Sequence, residues 1–173
     1  GGIIMAIYYG DGTTSNDGRI IQVKEAYNRT ITTISSSSDT AIGGLSNTIT
    51  CSEAASRVRI DVSLGCVGIN SANYYAFFVI YKDGNALGNS MGQTEGSRQR
   101  CSFAFRQNPG GHMGNTIYYS YVDQPGDTNQ HTYDLRVSME GGVTCRINTT
   151  GNGNNQSNYP IAMSAFLLTE IAD

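Results

Sequence analysis

Asp123-Gln124-Pro125-Gly126-Asp127, then His131-Thr132-Tyr133-Asp134-Leu135-Arg136-Val137, then Leu167-Leu168-Thr169-Glu170-Ile171 at the close: these strings decide the fold. Proline fixes its own φ and offers no N–H to a ladder, and the Asp and Gly around it are turn formers. The first string therefore predicts a tight loop between two strands. After it, Tyr133, Leu135 and Val137 alternate with polar neighbours, the period-2 pattern of a half-buried strand.

The same pattern recurs outward from there. Val58, Ile60, Val62 and Leu64 alternate with Arg57, Arg59, Asp61 and Ser63. Asn47–Cys51 and Arg57–Val67 read as a hairpin across Ser52-Glu53-Ala54-Ala55-Ser56. Ile20–Ile34 is rich in β-branched residues until four serines and Asp39 break it. Tyr74–Tyr81 is almost continuously apolar or aromatic, which predicts burial on both faces, and Asp83-Gly84 turns the chain after it. Gln99–Phe105, Thr116–Val122, Thr132–Met139 and Val143–Ile147 complete the set, with Glu140-Gly141-Gly142 as a tight turn between the last two. Ile161–Ile171 fits a helix by propensity and a strand by phase. About eight to ten short strands joined by Gly/Ser/Asn loops predict an all-β chain: a jelly-roll-like antiparallel β-sandwich.

Composition narrows the function classes. Only 14% of residues are charged and the net charge is −3, which argues against a binder of the nucleic-acid backbone. Arg98, Arg100 and Arg106 form the one basic cluster, and on a strand they would share a face. No apolar run approaches the roughly 20 residues of a membrane helix, so no membrane insertion is expected; Ile3–Tyr9 is too short. Cys51, Cys66, Cys101 and Cys145 each fall on the apolar phase of an expected strand, where a free thiol packs as a small hydrophobe. Their spacing matches no zinc motif, and neither a metal nor a cofactor is expected.

Chemical motifs are sparse. Gly88-Asn89-Ser90-Met91-Gly92 is a literal G-x-S-x-G, but no helix follows it as a nucleophile elbow requires. No carboxylate pair is nominated for glycoside hydrolysis, and the expectation is a protein that is not an enzyme. Asp11, Asn16 and Asp17 lack the spacing and closing Glu of an EF-hand. Residues 1–18 read instead as a connector, and 19–173 as the β domain. Binding features are more numerous. The loop Asn148–Tyr159 is rich in amides, which donate to and accept from sugar hydroxyls, and its Tyr can stack on a pyranose. Asn152, Asn154, Asn155 and Tyr159 are the leading candidates, followed by Asn108 and His112 in the loop after the expected Gln99–Phe105 strand. Asn28-Arg29-Thr30, Asn148-Thr149-Thr150 and Asn155-Gln156-Ser157 also match glycosylation sequons.

In order along the chain, Ile20-Ile21-Gln22-Val23, Leu45-Ser46-Asn47-Thr48-Ile49-Thr50, Tyr81-Lys82-Asp83-Gly84-Asn85-Ala86-Leu87-Gly88 and the three opening strings resemble the C-terminal domain of bacteriophage tail-fibre proteins, as found in marine phages and related viruses. The resemblance covers roughly residues 19–173. Where that family often has Pro after the T-I-T strand, this chain has Cys51. The resemblance decides for a strand over Ile161–Ile171. It implies a jelly-roll tip, assembled as a homotrimer on an upstream fibre or other virion proteins, at the virion surface. Its expected role is host attachment through a cell-surface glycan or protein; the alternative is a structural decoration or trimerisation domain with no receptor of its own. It carries no fixed set of binding residues.

Overall fold

Alternation along residues 57–69 sets the frame: Val58, Ile60, Val62 and Leu64 are wholly buried, while Arg59, Asp61 and Ser63 between them are half-buried. The computed structural model describes residues 7–8, 14–15, 18–108, 114–153, 155 and 157–172. In chain order the strands are β1 (Ile7–Tyr8), β2 (Thr14–Ser15), β3 (Ile20–Asn28), β4 (Thr32–Ile34), β5 (Thr40–Thr50), β6 (Arg57–Ile69), β7 (Tyr75–Lys82), β8 (Asn85–Ala86), β9 (Phe103–Arg106), β10 (Asn115–Asp123), β11 (Gln130–Met139), β12 (Cys145–Ile147) and β13 (Ser164–Ile171). A short 3₁₀ turn covers Gly88–Ser90. β1 and β2 pair with each other.

The remaining strands form two antiparallel sheets. In the first, β10 lines one edge of β6, and β13 and β12 lie end to end along the other. β3 pairs with β13 and β4 with β12, so these two are also one row, interrupted at residues 29–31. In the second sheet β11 lies between β5 and β7, and β8 and β9 share the far edge of β7. Numbered along the chain, the rows run 1-8-3-6 in the first sheet and 2-7-4-5 in the second. That interleaving is a jelly roll. The inner faces meet in one core, where Phe78, Leu135 and Tyr133 face Ile60, Leu64, Phe166 and Leu168.

Most expected strands are present, but several expected partners are not. β5 and β6 lie in different sheets, as do β11 and β12. Ser52–Ser56 and Glu140–Gly142 are therefore corners between sheets rather than hairpin turns. The Asp123–Asp127 loop likewise carries the chain from β10 to β11 across the sandwich. Asp83-Gly84 is a true hairpin turn, with both residues at positive φ (52° and 78°). Tyr75 and Phe77 stack on each other on the outer face of β7, so that strand is not buried on both sides along its length. Of the expected 99–105 strand only Phe103–Phe105 pairs, in a strand that runs on to Arg106, which removes the shared arginine face: Arg100 instead folds back to donate to the carbonyls of Gly92 and Gly88. All four cysteines are free; Cys51, Cys66 and Cys145 are buried, while Cys101 is half-buried just outside β9.

Candidate functional site

The break between β3 and β4 and the segment between β12 and β13 face each other, and Asn148 joins them. It takes a left-handed φ of 70°, which Asn tolerates better than most residues. Its side chain is fully buried and its polar groups are satisfied. Nδ2 donates to the carbonyls of Asn28 and Thr30, each at 2.9 Å, and Oδ1 accepts from the Ser164 hydroxyl at 2.6 Å. The backbone N–H donates to Cys66 O and the carbonyl accepts from Ala162 N–H. One residue thus fixes the 29–31 link, β6 and both ends of the segment between β12 and β13.

That segment then lies on the outer side of β6, because β6 presents glycine there. A Cβ at Gly68 would sit 2.2 Å from Gly151 N, and one at Gly65 would sit 2.3 Å from Met163 O. No side chain fits between the two backbones. Arg146 Nη1 donates to Gly151 O, and Thr149 Oγ1 donates to Pro160 O at 3.1 Å, closing the base of the loop.

Between the loop and the 29–31 link is a hollow of about 450 Å³. Ile31, Pro160 and Ile161 give it an apolar side, with Tyr159 alongside. Asn155 and Ser157 supply an amide and a hydroxyl around it, and Thr149, whose hydroxyl is bonded to Pro160 O, also lines it. No charged side chain is among these lining residues. Such a surface offers a stacking ring and neutral hydrogen-bond partners, the combination that holds an uncharged polyhydroxylated ring.

Of the residues nominated from sequence, Asn155 and Tyr159 line this hollow together. Asn152 is turned inward, its Oδ1 accepting from Thr150 Oγ1 at 2.8 Å. Asn108 is exposed beyond β9 and does not line the hollow. Asn154 and His112 lie outside the described residues, as do Asp11, Asn16 and Asp17. Sequence reasoning misses Ile31, Ile161 and Asn148 as site residues. Asn148 stands out there only as a sequon, and its burial, like that of Asn28, leaves no room for a glycan on it.

Other polar clusters are taken up by the fold. Ser90 of the G-x-S-x-G string is buried, donating to Leu87 O and bonded to the Ser102 hydroxyl. At the sandwich end near Asp83-Gly84, Tyr133 donates to Asp123 at 2.7 Å and Lys82 pairs with the same oxygen at 3.1 Å, tying the sheets together. His131 is held between Asp83 at 2.7 Å and Asp127 at 3.0 Å. Burial works to raise the Asp83 carboxyl, but the Thr132 N–H and His131 outweigh it and hold it below its ordinary range. Glu170 is fully buried, and burial likewise pushes it up. Bonds from the Ser52 hydroxyl and N–H and from Gln22 hold it lower than usual. Among the described residues no group of His, Cys, Asp and Glu converges to hold a metal ion.

No family model matches the chain, and no curated protein matches it. Among solved structures it is similar to the particle protein in the structure of infectious bursal virus derived T=1 particles, at 13% identity with a TM-score of 0.43. The match covers 98% of this chain and 41% of that one, so the chain spans about two fifths of that neighbour's length.

Proposed function

We propose that this chain is a non-enzymatic attachment domain of a virion, the tip of a viral fibre, which binds host-cell glycan through the hollow at Tyr159. The observation that carries this reading is the hollow itself: an aromatic ring and apolar walls beside neutral amide and hydroxyl groups, on a backbone locked by Asn148. The jelly roll supports it as a rigid scaffold for a binding loop, and the ordered sequence strings support the fibre assignment. Assembly as a homotrimer would present three hollows, so weak sugar contacts add through avidity. The test is a glycan screen with the whole chain, repeated with Tyr159→Ala and Asn155→Ala. The expected result is binding that falls at least tenfold in Tyr159→Ala while the thermal transition is unchanged, in line with loss of a stacked ring. Binding that survives both substitutions intact overturns the reading.

A second reading, a structural decoration domain, has its own observation. The outer face of the first sheet exposes Ile20, Val23 and Tyr27 along one edge and Tyr118 and Val122 along the other, apolar side chains of the kind that contact other proteins. That reading expects a stable oligomer that binds no glycan.

A further inference from the structure

We propose that a cleft adjoining the hollow, bounded by Tyr27, Arg29, Thr30 and the Gly43-Gly44 pair, is a second subsite that takes a carboxylate or sulfate group carried on the same saccharide. This rests on the glycan reading and adds the charge class of the ligand. The cleft measures about 440 Å³. It adjoins the hollow across the 29–31 link: Ile31 lines the hollow, while its neighbours Arg29 and Thr30 line the cleft. Adjacent Cα atoms lie about 3.8 Å apart, and in the proposal one saccharide reaches from the hollow's lining to that of the cleft.

The cleft exists because of two glycines in β5. The register between β5 and β11 jumps between Ser46 and Ala41, a bulge that contains Gly43 and Gly44. Gly44, at φ +78°, brings β5 so close to the end of β3 that a Cβ there would stand 2.9 Å from Tyr27 O. A Cβ at Gly43 would meet nothing within 4 Å, so the space beside it is left open.

The wall opposite is preorganised. Asn28 is buried, accepts from Thr30 N–H at 2.8 Å and Thr30 Oγ1 at 3.0 Å, and donates to Thr32 Oγ1 at 2.8 Å. Asn148 holds the carbonyls of the same residues. On this fixed link the Arg29 guanidinium lies over the Tyr27 ring, 5.9 Å from its centre. Arg59, Lys82 and Arg136 each pair with an aspartate, whereas among the described residues no carboxylate lies within ion-pair distance of Arg29. A guanidinium fork with open donors fits a carboxylate or sulfate through two parallel bonds. One charge opposes: Glu25, which accepts from the Tyr27 hydroxyl at 2.9 Å at the far tip of the ring.

The experiment titrates the whole chain with a panel of oligosaccharides, each in neutral, carboxylated and sulfated form, with inorganic sulfate alone as a control. The acidic forms are expected to bind about tenfold tighter than their neutral counterparts, the strength of one charge-assisted contact. Arg29→Ala should erase that preference. Gly43→Gln, whose Cβ would meet nothing within 4 Å and whose amide would extend into the cleft, should do the same, and Glu25→Gln should widen the preference. Comparison of the two acidic forms identifies which group is taken. Equal binding of neutral and acidic forms by the unaltered chain, lost in Tyr159→Ala, overturns the subsite and leaves the hollow standing. A preference that persists in both Arg29→Ala and Gly43→Gln also overturns it. Binding to no member of the panel, or binding indifferent to Tyr159→Ala, overturns both.

Discussion

At the scale of single residues, Asn148 does more for the candidate site than any side chain lining it. Asn148→Ala would strip the Asn28 and Thr30 carbonyls and the Ser164 hydroxyl of their buried partner. The expected cost is on the order of 3 kcal/mol in urea unfolding, from several unsatisfied groups at about 1 kcal/mol or more each. Asn148→Asp should be worse, because it aims an acceptor at two acceptors. In the sequence Asn148 is marked only as a sequon, which does not show its structural role, since its weight comes from partners as far away as Asn28. Tyr159 and Asn155 are legible because their chemistry is local and polar. A second expectation concerns acid. Asp83 and Glu170 are held below their ordinary values, so the stabilisation they give is present above the unfolded carboxylate range near pH 4. It is lost as pH falls through their lower folded values. Urea midpoints should therefore drop below about pH 4, and Asp83→Asn should flatten some of that drop.

At the scale of elements, period 2 locates the strands but cannot assign their partners. The phase along residues 58–64 appears in the structure unchanged, because burial on one face imposes it locally. Pairing in a jelly roll joins rows distant in sequence, and among the described residues only the Asp83-Gly84 hairpin pairs two consecutive strands of these two sheets with each other. Corners at Ser52–Ser56 and Glu140–Gly142 have the same turn chemistry as hairpins, so their composition does not distinguish the two. The bed for the loop is equally hidden: Gly65 and Gly68 matter for what lies over them. Gly68→Ala should lift the 149–163 segment off β6. The expected signature is faster proteolysis confined to that segment together with loss of glycan binding, while the core strands keep their amide protection.

At the scale of the whole molecule, the registers line up apolar residues at both edges of the first sheet's outer face. Tyr27, Ala165, Ser63 and Tyr118 form one line across the strands, and Val23, Thr169, Arg59 and Val122 another. Tyr118 is 68% exposed and Val122 45%. If this face packs against further copies, light scattering of the purified chain should give a mass of three chains. Tyr118→Lys with Val122→Lys should then reduce it to one without unfolding the domain. A trimer indifferent to both substitutions would place the contact elsewhere.

The way the first row is laid also has a mechanical meaning. Gly18 N–H donates to Ala172 O and Ala172 N–H to Arg19 O, so the incoming chain is laced to the end of β13 before β3 begins. A ligand seated in the hollow bears on Ile31, just past the far end of β3. Tension between that point and Gly18 runs lengthwise along the strand. The paired positions from Ile20↔Ile171 to Asn28↔Ser164 then carry the load side by side, in shear, and do not open in succession like a zipper. If the chain is tethered through the segment before Gly18 and holds its ligand in the hollow, as proposed, a pull between the two loads the domain along its strongest direction.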